Sequence, residues 1–132
     1  IEESPAKKDI IVTGFVSDFE KQILLANAST LVLVGFYEGF GIPALEALHH
    51  DLIPVVSKTS SLPEVVGKAG LVADPNNSTD IAQKLEQVLV MTSREKSKYS
   101  KIRSRQISQF NWNESAKKVL RVLTQVAQKN AG

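Results

Sequence analysis

Four short apolar runs recur along the first half of the chain: Ile10-Ile11-Val12-Thr13, Leu31-Val32-Leu33-Val34, Ile53-Pro54-Val55-Val56 and Gly70-Leu71-Val72-Ala73. None alternates apolar with polar positions as a strand with one wet face would, so each predicts a strand covered on both sides. Each runs into a turn signal: Gly14, Gly35, the polar stretch Ser57-Lys58-Thr59-Ser60-Ser61, and Asp74-Pro75-Asn76-Asn77. Between the runs the pattern switches to helical spacing. Asp18 predicts the cap of a helix through Ala26, with Phe19, Ile23 and Ala26 on its inner face. Pro43 fits the first turn of a helix ending near His49, because its missing N–H would have had no partner there. A short helical turn is expected from Pro63 to Val66. Behind a cap at Asn77 or Ser78, Ile81, Leu85, Val88 and Leu89 recur at helical intervals, and a polar helix follows from about Arg94 to Gln109. The last helix opens at Asn111, where Glu114 three residues on completes a capping box. Trp112, Ala116, Val119, Leu120, Leu123 and Ala127 form its apolar stripe, with Trp112 as a core or interface anchor.

Strands alternating with helices specify an α/β fold: a Rossmann-like parallel sheet of about four strands with flanking helices and a helical C-terminal segment. At 132 residues and 14.4 kDa, residues 1–132 are read as a single domain with one core. A 42% hydrophobic and 23% charged composition with a mean hydropathy of -0.08 is that of a globular protein. No apolar run approaches the roughly 20 residues that span a bilayer. The lack of cysteine excludes disulfides, thiol nucleophiles and thiolate zinc sites. The first residues contain neither Met nor the apolar stretch of a signal peptide, so the chain is expected to be a fragment or processed product of a longer, cytoplasmic protein. A net charge of +2 is too mild to argue for nucleic acid. Arg94, Lys96, Lys98, Lys101, Arg103 and Arg105 form one basic run, read either as a solvated helix face or as a peripheral contact with an anionic membrane surface.

In a parallel sheet ligands bind at the carboxyl ends of the strands, which makes the loops after Thr13, Val34 and Ser57 the candidate site. The second loop holds Gly35, Gly39 and Gly41 and feeds directly into a helix at Ile42-Pro43. Bare backbone N–H groups and the positive end of a helix dipole then meet at one point, an arrangement that binds phosphate. The spacing is neither a Walker loop nor a dinucleotide fingerprint, and a tight turn alone would use the same glycines. Glu38 and Glu46 flank this point. Carboxylates repel phosphate and accept hydrogen bonds from sugar hydroxyls, so a nucleoside diphosphate sugar offers each side of the loop a suitable partner. Glu46 could take the ribose and Glu38 the transferred sugar, while the helix terminus neutralises the departing diphosphate. Without such a ligand, Glu46 is a helix-dipole or surface residue and Glu38 a solvated loop residue.

The blocks FYEGFGIPALEAL, IPVVSKTSSLPEVVGKAGLVADP and FNWNESAKKVL, in this order and spacing, resemble the hallmarks of the family 4 retaining glycosyltransferases (glycosyl transferases group 1), which have the GT-B fold. The likeness runs from about Ile10 to Leu123, and its first block is the family's Glu-x7-Glu motif. The resemblance implies that Glu38 lies by the donor sugar as the catalytic residue. It also implies that Gly39, Phe40, Gly41 and Ile42 contact sugar and phosphates through their amides, that Glu46 holds the ribose, and that Gly14-Phe15-Val16 borders the nucleobase. SSLPEVVG with Asp74-Pro75 is similar to bacterial mannosyltransferases of polysaccharide or lipopolysaccharide assembly.

Two departures leave these contacts in place: Gly35 stands where serine is common, and His49-His50-Asp51 replaces a glycine-containing turn. A third is larger. The family's donor domain begins with two further strands, carrying an Arg and a Lys for the diphosphate, and is preceded by an N-terminal domain that binds a glycan or lipid-linked acceptor. The chain starts after both, so by itself it is expected to be inactive and to self-associate through an unpaired Ile10–Thr13 edge and the uncovered stripe of the last helix. No metal or other cofactor is expected, since no Asp-x-Asp triplet appears. His49 and His50 read as helix-end residues. Thr59-Ser60-Ser61 with Glu64 reads either as a turn and cap or as part of the cleft. Two other functions stay open: a non-catalytic α/β binding module, and a nucleotide-sugar epimerase.

Overall fold

The computed structural model describes residues 1–130. Three short strands, β1 (Val32–Leu33), β2 (Val55–Ser57) and β3 (Leu71–Ala73), form a parallel sheet in the order β1-β2-β3, with Val32 opposite Val55 and Val55 opposite Leu71. Six α-helices surround it: α1 (Asp18–Asn27), α2 (Ile42–His49), α3 (Leu62–Val66), α4 (Ser78–Leu89), α5 (Ser93–Ile107) and α6 (Trp112–Asn130). Single 3-10 turns occupy Lys7–Asp9 and Gly67–Ala69.

Successive residues of a strand point to opposite faces, and β2 shows the result. Val56 packs with Ala44 of α2 and Leu62, Val65 and Val66 of α3. Its neighbour Val55 packs with Ile53, Ala73 and Val88, with Ile81, Leu85 and Tyr99 behind them. Both valines are fully buried, so β2 is the centre of the core and needs no polar face. A third cluster, Leu25 with Ala47 and Leu52, docks α1 against α2. Arg103 of α5 turns inward: its guanidinium donates to the Asp51 carbonyl at 3.3 Å and pairs with the Asp51 carboxylate, tying α5 to the turn that leads into β2. The other five cations of the basic run remain exposed.

The sequence reading needs correction in three places. The Ile10–Thr13 run is extended but belongs to no sheet, and Ile11 and Val12 are 84% and 73% exposed. A strand is stable only as part of a ladder, and within this run the one backbone bond is that of the Ile10 N–H to Lys7, closing the preceding turn. Among the described residues the sheet therefore has three strands, with β1 and β3 at its edges. In α1 the cap is Ser17, in a reciprocal box with Glu20, and Asp18 instead pairs with Lys21. Leu25 is the residue that helix buries, while Phe19 and Ile23 face outward. Finally, Trp112 is no core anchor: it is 90% exposed, at the start of an α6 stripe that stays uncovered as expected, with Val119, Leu120 and Leu123 more than half exposed. Phe110, two residues before Trp112, makes the apolar contact in its place, against the α2–α3 cluster.

Candidate functional site

The first turn of α2 is set by a glycine that no other residue could replace without strain. Gly41, the N-cap, has φ 98°, and a Cβ there would lie 2.6 Å from Cδ2 of the buried Leu62. No side chain caps this end, and the amides of Ala44 and Leu45 close the turn onto the Gly41 carbonyl at 3.0 and 3.2 Å. The amides of Gly39, Phe40, Gly41 and Ile42 have no protein acceptor among the described residues. Four consecutive free donors at the start of a helix of eight residues make a concentrated patch of positive potential.

Glu38 immediately precedes these amides in the chain, and Glu46 follows them one turn into α2. Glu38 is half-buried in the loop, and its main chain is held by the turn after β2. Its N–H donates to Ser60 Oγ at 3.3 Å, and its carbonyl accepts from Ser60 Oγ and from Ser61 Oγ at 3.0 Å. Ser61 Oγ also reaches the Phe40 carbonyl at 2.9 Å, and Thr59 Oγ1 donates to the Gly35 carbonyl at 3.1 Å. The hydroxyls of this turn thus reach across to the glycine loop, and Ser61, the residue before α3, makes no side-chain cap to that helix. Glu64, in contrast, is exposed, and its carbonyl accepts from Gln106 Nε2.

Glu46, on the second turn of α2, has a partner that no periodicity signals. Lys21 Nζ of α1 donates to Glu46 Oε1 at 2.8 Å and approaches Asp18 Oδ1 at 3.3 Å. The Glu46 and then the Asp18 carboxylate hold the Lys21 ammonium above its ordinary pKa. One oxygen of Glu46 is therefore occupied, and Oε2 is free to accept from another donor. One turn along the same seam, His50 Nε2 meets Gln22 Oε1 at 2.6 Å, and the His50 N–H caps α2 by bonding to Glu46 and Ala47 carbonyls. His49 is exposed at the end of the helix.

The remaining candidates are less closely gathered. Gly14 has φ 63°, Phe15 is 97% exposed and Val16 half-buried. No hydrogen bond among the described residues joins these three to the Glu38–Glu46 segment. On the other flank Phe40 meets Phe110 edge to face, with centroids 5.6 Å apart. With Ile42, Leu45 and Trp112 the pair lines an open groove of about 580 Å³ beside the free amides. No helix among the described residues is long and apolar enough to cross a membrane.

Known proteins resemble the chain in sequence and in fold. Over 76 residues the chain is 50% identical to the O-antigen chain mannosyltransferase B of Escherichia coli, a match covering 58% of the chain and 20% of that protein. It is 32% identical over 117 residues to a GDP-mannose-dependent alpha-(1-6)-phosphatidylinositol dimannoside mannosyltransferase of Mycobacterium tuberculosis, covering 87% of the chain and 30% of the relative. The chain thus spans less than a third of the length of these relatives. Among solved structures, the N-terminal domain of a Candida albicans trehalose-6-phosphate phosphatase superposes with a TM-score of 0.75 at 16% identity, over 85% of this chain and 25% of that one, and so shares its fold. The family model described as glycosyl transferases group 1 matches residues 1–107, and the chain belongs to that family.

Proposed function

We propose that this chain is the donor-binding part of a retaining glycosyltransferase that takes mannose from a nucleotide diphosphate sugar and passes it to a glycan or lipid-linked acceptor. The observation that carries the reading is the run of free amides from Gly39 to Ile42 at the start of α2, flanked by Glu38 and Glu46. The amides and helix dipole suit a diphosphate, whose negative charge grows as the glycosidic bond breaks; stabilising that growing charge accelerates the reaction, and no metal is needed for it. Glu46, with Oε2 free, accepts from the ribose hydroxyls, and Glu38 faces the sugar being transferred. Gly14, Phe15 and Val16 border the base, with the exposed Phe15 ring available to stack. Mannose as the sugar is supported by the names of the relatives, which are mannosyltransferases.

Acceptor binding and part of the diphosphate grip belong to regions outside this chain, so the chain alone is expected not to turn over. The acceptor side is proposed to lie at a membrane surface. Arg94, Lys98, Lys101 and Arg105 recur at helical spacing along one side of α5 and are all exposed, which suits anionic lipid headgroups. The decisive experiment uses the full-length protein with GDP-mannose. Glu38→Ala is expected to abolish most turnover and Glu46→Ala to raise the donor KM, both unaffected by a chelator. Near-wild-type kinetics for both variants would overturn the reading. Product assays with and without acceptor separate transfer from epimerisation.

A further inference from the structure

Three consecutive hydroxyls in the turn after β2 all bond to the main chain of the glycine loop rather than to the main chain of their own turn. Thr59 Oγ1 donates to the Gly35 carbonyl, Ser60 Oγ accepts the N–H and donates to the carbonyl of Glu38, and Ser61 Oγ lies within reach of the Glu38 and Phe40 carbonyls, which share its one proton. Thr59 Oγ1 also lies 3.3 Å from Oγ of Ser57, which is fully buried at the end of β2, so this end of the array is anchored in the sheet. Ser60 adopts φ 60°, a conformation costly for a residue with a Cβ and one that persists only where the surroundings impose it.

We propose that Thr59, Ser60 and Ser61 are positioning residues that hold the glycine loop in its donor-binding shape, so that Glu38 and the amides of Gly39 to Ile42 are oriented before the ligand arrives. The inference rests on the function proposed above. Its physical basis is that a loop with glycines at 35, 39 and 41 has a large conformational freedom to lose, and hydroxyls that bind its carbonyls remove that freedom in advance. Ser60 makes the two-point contact: one hydroxyl accepts the Glu38 N–H while donating to the Glu38 carbonyl, which fixes the peptide planes on both sides of the Glu38 side chain. Ser61 then sets the direction of the next two peptides. With those carbonyls turned toward the hydroxyls, the free N–H groups that follow are directed to the opposite side.

The test uses the full-length protein, with Ser61→Ala, the double variant Ser60→Ala/Ser61→Ala, and Ser61→Thr, which keeps the hydroxyl. Donor kcat/KM is expected to fall about tenfold or more in the double variant and less in Ser61→Ala, since small misplacements of reacting groups are costly. The melting temperature of the unliganded protein should stay near wild type, the added stabilisation by GDP should shrink, and Ser61→Thr should recover most of the loss. Unchanged kcat/KM in the double variant overturns the proposal. So does a loss equal in Ser61→Thr and Ser61→Ala, or one that follows a general drop in melting temperature. The Glu38→Ala and Glu46→Ala proteins, assayed beside them, separate the two levels: if they are impaired while the serine variants are not, the clamp alone fails; if they too are unaffected, the site assignment fails with it.

Discussion

At the scale of single residues, the site depends on positions where one atom decides the geometry. Gly41→Ala combines a disfavoured φ with a Cβ driven into Leu62, which is 1% exposed and cannot swing away. It should cost about 1–3 kcal/mol and also distort the start of α2. Gly70→Ala provides the contrast. Its Cβ would meet the Pro54 carbonyl at 2.8 Å and Val66 at 2.9 Å, in the core and away from the loop. That clash should cost about 1–3 kcal/mol of stability. Urea melts should therefore show both variants weakened, with donor affinity in the full-length protein reduced beyond the stability loss only for Gly41→Ala. Lys21→Met should raise the donor KM several-fold by releasing Glu46, with Lys21→Arg close to wild type; an unchanged KM in Lys21→Met would mean that the ion pair is not used. Gly39, Gly41, Glu38 and Glu46 lie within nine residues, so their meeting at one helix start was legible from the sequence, whereas the roles proposed for them come from the resemblance of the whole block. Lys21 lies 25 residues from Glu46, and its partner is chosen only when α1 docks on α2, which leaves no local signal.

At the scale of elements, helix starts carry much of the local order and determine how the chain responds to acid. Ser17 with Glu20 and Thr92 with Glu95 are reciprocal capping boxes, and in each the hydroxyl and amide of the cap hold the glutamate below its ordinary value near 4.5. The Lys58 ammonium, then the Asn76 amide, lowers Asp74 below 3.8. A carboxylate whose pKa is lower in the folded state stabilises fully above its unfolded value and loses that contribution as pH falls through the folded one. Lys21, raised, behaves oppositely: its contribution is complete below 10.5 and is lost as pH climbs through its folded value. Between these limits the four groups add no pH dependence. The urea midpoint should decline once pH drops below about 4.5, and Glu20→Gln with Glu95→Gln should make that decline shallower. Thr92→Ala should cost about 1 kcal/mol at neutral pH, read from the same melts. The elements themselves were mostly legible from caps and periodicity: Pro43, Asn77 and the Ile81-Leu85-Val88 spacing each mark a helix that forms. The Ile10–Thr13 run was misread because apolar composition reports only what a strand would bury, whereas pairing depends on a neighbour elsewhere in the sheet.

At the scale of the whole molecule, apolar surface is unevenly spread. The sheet and helices α2 to α5 enclose a core in which Val55, Val56, Leu48 and Val88 are fully buried. Outside it, large apolar side chains face outward at several places, among them Ile11, Val12 and Phe15 before α1, and Trp112, Val119, Leu120, Val122 and Leu123 along α6. Periodicity identified the α6 stripe correctly as a surface that wants cover, but not what supplies the cover. Scattered apolar residues are ordinary on a protein surface, but a continuous stripe on a helix of 19 residues is a recognised source of association. The chain on its own is therefore expected to self-associate with rising concentration, and more strongly at high salt, because screening relieves repulsion between the basic faces of α5 while leaving apolar burial intact. Replacing Leu120 and Leu123 with Glu should return it to a monomer without loss of helical content, since neither side chain lies in the core. Solution scattering across a concentration series distinguishes the outcomes. A parent chain that stays monodisperse and monomeric would show that the α6 stripe is tolerated in water, and association that survives both substitutions would move the contact to Ile11, Val12 and the open edge of β1.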